Sequence, residues 1–306
     1  MNVPATASSS PAGSAATPRA RFGDYLELTK PRLSFLSVVT TLVGYLCAWP
    51  GWFAGEFLFT ILGTAACAGG VAALNQWMES DTDGQMERTA DRPIPAGRVS
   101  TGSAFVLGWV LCAAGLGMLF VKTNGVATLF ALLTIATYLA LYTPAKRRSP
   151  RATEIGAVAG AFPPLIGWSA ATGGAGGLGP VLFGILLFWQ IPHFMAVAWT
   201  YRQDYGRVHF PMLPVIDPSG VRAARWSFVN TLLLVATSLL PRWIAGASLA
   251  YVAVTALLGA WFLWRASAFL RRGDRDRTAR KLFFCSIIWL PLQLGVLVAD
   301  RFLFAP

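Results

Sequence analysis

Apolar runs close to twenty residues long recur along this chain, and they leave little choice of architecture. They fall at about 33–51, 57–77, 103–121, 125–143, 153–171, 180–199, 226–243, 247–264 and 282–300. Each is long enough to cross the hydrocarbon core of a bilayer. Inside that core a backbone must satisfy its own hydrogen bonds, so each run is expected to be a helix. Composition agrees: 55% of residues are hydrophobic and only 13% charged, where a water-soluble domain carries about 25% charged residues. The expected fold is an all-α integral membrane protein of nine transmembrane helices, with residues 23–306 forming one domain. Residues 1–22 read as a disordered tail, because the Ser-, Ala- and Pro-rich start has no apolar stretch of the kind a secretory signal needs.

The basic residues test that count. With the connections assigned alternately to two sides, 22 of the 25 Lys and Arg fall on the side of the N-terminus. Only Lys122, Arg242 and Arg301 fall on the other. A miscounted span would scramble this partition. By the positive-inside rule the N-terminus faces the cytoplasm and the C-terminus lies outside. The net charge of +11 is then explained by topology and lipid headgroups, without nucleic acid. The weak Arg content of the tail favours a bacterial inner membrane over a mitochondrial one. Cys47, Cys67, Cys112 and Cys285 all sit inside apolar runs without metal-ligand spacing, so they read as small core residues.

Acid is scarce, with 14 Asp and Glu in 306 residues, yet five lie within thirteen residues of the stretch NQWMESDTDGQMERTADRP at 75–93. Asn75, Glu79 and Asp83 recur at intervals of four and share one helix face, with Asp81 close by. Like charges at that spacing repel. Two explanations stand side by side: a solvated loop, or oxygen ligands for Mg²⁺, which commonly shares its shell with substrate phosphates. Arg88 and Arg92, and Lys146 and Arg147 in the next inner connection, would supply cations for a diphosphate. A second long inner connection follows the sixth helix and holds YRQDY. Four helices separate the two, which suggests two similar halves whose polar connections face one cytoplasmic cavity. Asp204 could hold a second metal there. Tyr201 and Tyr205 fit aromatic-belt anchors, and His193 fits either a packed residue or a ligand.

On these residues the chain resembles the UbiA-type intramembrane prenyltransferases, whose first aspartate motif is similar to N-x-x-x-D-x-x-x-D. The pattern D-x-D-x-x-M-x-R-T-x-x-R-P, with LTKPRL at 28–33, GAFPPLIGW at 160–168, WQIPHF, YRQDY and PMLPV, resembles more narrowly the members that farnesylate haem. The likeness runs from Leu28 to about Val298. It implies nine transmembrane helices, a cytoplasmic active site, Mg²⁺, and farnesyl diphosphate and haem B as substrates, with haem O as product. Haem A synthase or oxidase-assembly proteins are implied as possible partners. Carried over residue by residue, Asn75, Glu79, Asp81 and Asp83 would bind the metal. Arg88, Arg92, Lys146 and Arg147 would bind diphosphate. His193 would meet the haem, as axial ligand or through a propionate, or would orient Asp204. Two departures stand out. Glu79 replaces the usual first Asp, so Asp81 and Asp83 rank above it as ligands. Val208 stands where a second D-x-x-x-D would place its last Asp. Rival functions are prenylation of a quinone precursor or chlorophyllide, ion transport through intramembrane acids, and haem carriage without chemistry. Product identity separates the first; the cytoplasmic position of the acids argues against the second, and the need for Asp81 and Asp83 against the third.

Overall fold

The computed structural model describes residues 20–48, 54–271 and 273–304; most of the expected N-terminal tail lies outside these. Among the described residues nine helices are long and apolar enough to cross a membrane. They are α1 (Pro31–Ala48), α2 (Gly55–Asp83), α3 (Thr101–Lys122), α4 (Gly125–Ala145), α5 (Ala152–Thr172), α6 (Gly179–Thr200), α7 (Val221–Ile244), α8 (Leu249–Leu270) and α9 (Arg275–Phe304). There is no strand among the described residues. The chain is an integral membrane protein.

Two helices outrun their apolar stretches. α2 continues through Gln76 to Asp83, and α9 begins at Arg275. Polar residues end the lipid-facing stretch but do not break a helix, so the ladder continues out of the bilayer. Asn75, Glu79, Asp81 and Asp83 therefore ride on the helix, while Glu87 and Asp91 lie in the connection beyond it.

Helix contacts are made by small residues, as expected where lipid supplies no hydrophobic drive for association. α2 and α3 cross closely along Gly63, Cys67 and Gly70 on one side and Gly108, Cys112 and Gly115 on the other. A Cβ at Gly70 would lie 2.6 Å from both the Gly108 carbonyl oxygen and Cys112 Sγ. All four cysteines are free and buried, and Cys67 and Cys112 pack into this seam. α5 is broken at Phe162 by Pro163 and Pro164. Thr41 Oγ1 donates to the Pro163 carbonyl at 3.0 Å, tying the break to α1.

The charged connections at one end of the bundle are bound to one another. Lys146 reaches Glu79, Arg207 reaches Glu87 at 3.7 Å, Arg202 reaches Asp276 at 3.0 Å, and Arg275 donates to the Gly220 carbonyl at 3.2 Å. Charged connections that are far apart in sequence thus share one end of the bundle. Gly70→Val should cost about 1–3 kcal/mol by overpacking the α2–α3 seam, read as loss of monodisperse protein and a lower unfolding midpoint in detergent. Gly117→Ala, on a face where a Cβ meets nothing within 4 Å, should leave both unchanged.

Candidate active site

A cavity of about 440 Å³ opens among α1, α2, α4, α5 and α6. One end is polar and the deeper wall is apolar, with Cys67, Val71, Ile135 and Ile166. Asn75, Glu79 and Asp83 line the polar end together, as their four-residue spacing predicts.

Each of the three is matched to one cation from a different part of the chain. Lys30 Nζ donates to Asn75 Oδ1 at 2.8 Å. Lys146 Nζ lies 2.7 and 3.1 Å from the two Glu79 carboxylate oxygens. Arg92 pairs with Asp83 Oδ2 at 2.5 Å. Asn75 also donates through Nδ2 to Thr143 Oγ1 at 3.3 Å, fixing its amide. Burial, followed by the like charges of Arg92 and Lys146, pushes Lys30 down to about 7. Burial also disfavours the Lys146 ammonium, but Tyr142 and Glu79 beside it hold it above the ordinary lysine range.

Asp81 departs from its expected rank. Two residues beyond Glu79 on a helix is about 200° of rotation, so Asp81 lies on the opposite face. Its side chain is 60% exposed and pairs with Arg147 at 2.6 Å. Arg147 is further held by the Met78 carbonyl at 3.1 Å. Neither lines the cavity. Glu79, ranked lower from sequence, faces inward together with Asp83. Asp204 likewise stands outside the lining and pairs with Arg207 at 3.5 Å; its neighbour Tyr205 faces the cavity instead. Arg88 does line the cavity, stacked over the rings of Tyr201 and Tyr205 at 5.1 and 4.8 Å. The two tyrosines thus clasp one polar connection to the other, a more specific task than anchoring in a belt.

His193 lies in the cavity wall on α6. Its ring stacks on Trp189 at 4.8 Å and on Phe283 at 5.2 Å, and its Nδ1 is 2.8 Å from Ser286 Oγ.

Lys30, Tyr138, Tyr142 and Gln190 also line the cavity and are not among the site residues expected from sequence. Lys30 carried a signal, since it stands immediately before Pro31 in LTKPRL. A residue before proline is steered away from the right-handed helical region. Lys30 adopts φ +45, rare for a side chain with a Cβ, and this turn aims its ammonium at Asn75. Tyr138 and Tyr142 lie on a wide π-helical segment, Thr137–Tyr142, which no local pattern announces.

Among the described residues no group of three or more His, Cys, Asp or Glu forms an all-protein metal cage. The donor set still suits a hard cation that completes its shell with substrate oxygens. Asp83 is 1% exposed, and its Oδ1 is buried with no hydrogen-bond partner. An orphaned carboxylate oxygen in a cavity wall is costly unless a ligand takes it up.

Residues 37–288 match the UbiA prenyltransferase family, and the chain belongs to that family. It is 62% identical over 282 residues to a protoheme IX farnesyltransferase of Opitutus terrae, covering 92% of this chain and 96% of that one. It is 40% identical to another protoheme IX farnesyltransferase, from Solibacter usitatus, over 91% and 98% of the two chains. Among solved structures, a digeranylgeranylglyceryl phosphate synthase superposes with a TM-score of 0.77 at 17% identity, over 91% and 97% of the chains. A UbiA homolog from Archaeoglobus fulgidus bound to GPP and Mg²⁺ superposes with a TM-score of 0.65 at 13% identity, over 90% and 99%. At these identities the structures share the fold.

The two faces of α2 predict opposite outcomes. Glu79→Gln and Asp83→Asn should each lower prenyl transfer by about 100-fold or more, the scale of losing a preorganised electrostatic group. Asp81→Asn should cost less than about fivefold, since it breaks an exposed ion pair. Steady-state rates of the three purified variants check this.

Proposed function

We propose that this chain transfers the farnesyl group of farnesyl diphosphate to a vinyl group of haem B, with addition of water, giving haem O for haem–copper oxidases. The observation that carries the reading is one cavity with an acid–base cluster at its polar end and His193 in its wall, in a chain so similar to protoheme IX farnesyltransferases. The positive-inside pattern supports placing this polar end and the N-terminus on the cytoplasmic side, and the Arg-poor tail favours a bacterial inner membrane.

Asn75, Glu79 and Asp83 would hold Mg²⁺. When bound, the ion would neutralise diphosphate charge and favour its departure. Lys30, Lys146 and Arg92, now spent on Asn75, Glu79 and Asp83, would turn to the non-bridging oxygens of the diphosphate, with Arg88 closing from the side. Exchange of partners keeps the buried charges matched before and after binding. The farnesyl chain would extend along the aliphatic wall formed by Val71, Ile135 and Ile166.

The C1–O bond breaks, its electron pair leaves with diphosphate, and an allylic cation remains. The π electrons of the vinyl group form the new C–C bond, and water adds to the resulting benzylic-type cation and loses a proton to solvent. The faces of Tyr138 and Tyr142, which line the cavity beside Lys146, would shield the first cation from water. His193 would hold the haem through its iron. Asp81, Arg147 and Asp204, outside the cavity lining, would act by fixing the inner connections.

Mass spectrometry of haem extracted after incubation with haem B, farnesyl diphosphate and Mg²⁺ tests the proposal. The expected product is haem B plus one farnesyl group and one water, lost in an EDTA control. Diphosphate release with a quinone precursor, and no altered haem, would overturn the acceptor. Lys146→Met should lower product formation by about 100-fold while haem B binding persists.

A further inference from the structure

An imidazole binds iron through an unprotonated nitrogen, and the hydrogen bond made by the other nitrogen decides which one that is. In this chain the decision can be read from α9, a helix that contributes nothing to the cavity lining. His193 Nδ1 lies 2.8 Å from Ser286 Oγ. The same oxygen lies 2.6 Å from the Phe283 carbonyl oxygen. A serine hydroxyl has one proton, and a carbonyl oxygen can only accept. Were that proton turned toward Nδ1, two oxygens would face each other at 2.6 Å with none between them. Ser286 therefore donates to Phe283, and its oxygen accepts from an Nδ1–H of His193.

The remaining nitrogen, Nε2, then carries the lone pair. It has no hydrogen-bond partner among the described residues, and the ring that bears it lines the cavity. The ring cannot easily turn. Trp189 stacks on it with planes 22° apart, and Phe283 lies against it at 32°. Trp189 Nε1 in turn donates to the Ser286 carbonyl at 2.8 Å, so the stacking partner and the hydrogen-bond acceptor are braced to each other. Ser286 is fully buried, so its hydroxyl is held in place beside the ring.

We infer that Ser286 is a positioning residue: it fixes His193 as the Nδ1–H tautomer and presents the Nε2 lone pair to the iron of the haem substrate. This rests on the haem reading given above, but its first half concerns the ligand-free protein alone.

The chain has two histidines, His193 and His209, so the tautomer can be seen directly. Protein labelled with ¹⁵N-histidine in a His209→Asn background should show a protonated-type Nδ1 and an unprotonated-type Nε2 by NMR. The reverse pattern, or an even mixture, would overturn the inference without any variant at the site. Ser286→Ala should lose the fixed pattern and Ser286→Thr should restore it; an unchanged pattern in Ser286→Ala would also overturn it. In haem B titrations followed by the Soret band, Ser286→Ala should weaken binding about tenfold, the low end for loss of a partner to a metal-bound histidine. His193→Ala should abolish the histidine-ligated spectrum, and an unchanged spectrum would overturn the iron half alone. Failure of the wild-type protein to bind haem B at all would overturn the haem reading and leave the NMR result standing.

Discussion

Two carboxylates lie almost fully buried near the C-terminal end of α2, and the rest of the site is arranged around that fact. A buried charge without a partner is among the costliest things a fold can contain. Glu79 and Asp83 are 5% and 1% exposed, and each has its cation: Lys146 from the connection after α4, and Arg92 from the connection after α2 itself. Lys30, at the turn into α1, completes the set through Asn75. Three separate stretches of chain are drawn to one point by the need to neutralise one helix face. The same requirement makes the site receptive to an anion, because cations held this way can change partners.

The apolar part of the fold serves a different need. Close crossings at Gly63, Gly70, Gly108 and Gly115 bring α2 and α3 together, and the Pro163–Pro164 break in α5 is tied to α1 through Thr41. The α2–α3 crossings seat the same helix that carries Asn75, Glu79 and Asp83 further along. The aromatic brace around His193 is built the same way, with α9 supporting a residue on α6 from behind.

Much of this was legible in the sequence. Hydrophobic runs and the sorting of Lys and Arg gave the helix count, because bilayer thickness and charge orientation act on local sequence. The four-residue spacing gave the face shared by Asn75, Glu79 and Asp83. What escaped depended on partners distant along the chain. Asp81 was ranked above Glu79 on residue identity, but 200° of helix rotation and the reach of Arg147 turn it outward. Asp204 looked poised for the cavity, yet a six-residue helix, Arg202–Arg207, offers Tyr205 instead. Ser286 had no signal at all: it is one serine in an apolar helix, 93 residues from the histidine it touches.

The π-helical segment of α4 has a consequence for how such a site could arise. A π turn amounts to an α-helix with one residue inserted, and such turns gather at functional sites. Because the wide turn takes up the extra residue locally, the helix beyond it keeps its phase, and Lys146 and Thr143 stay beside Glu79 and Asn75. A single codon gained in an ancestral regular helix would thus have widened the cavity wall at Tyr138 and Tyr142 without rotating the charged end of α4 away from its partners.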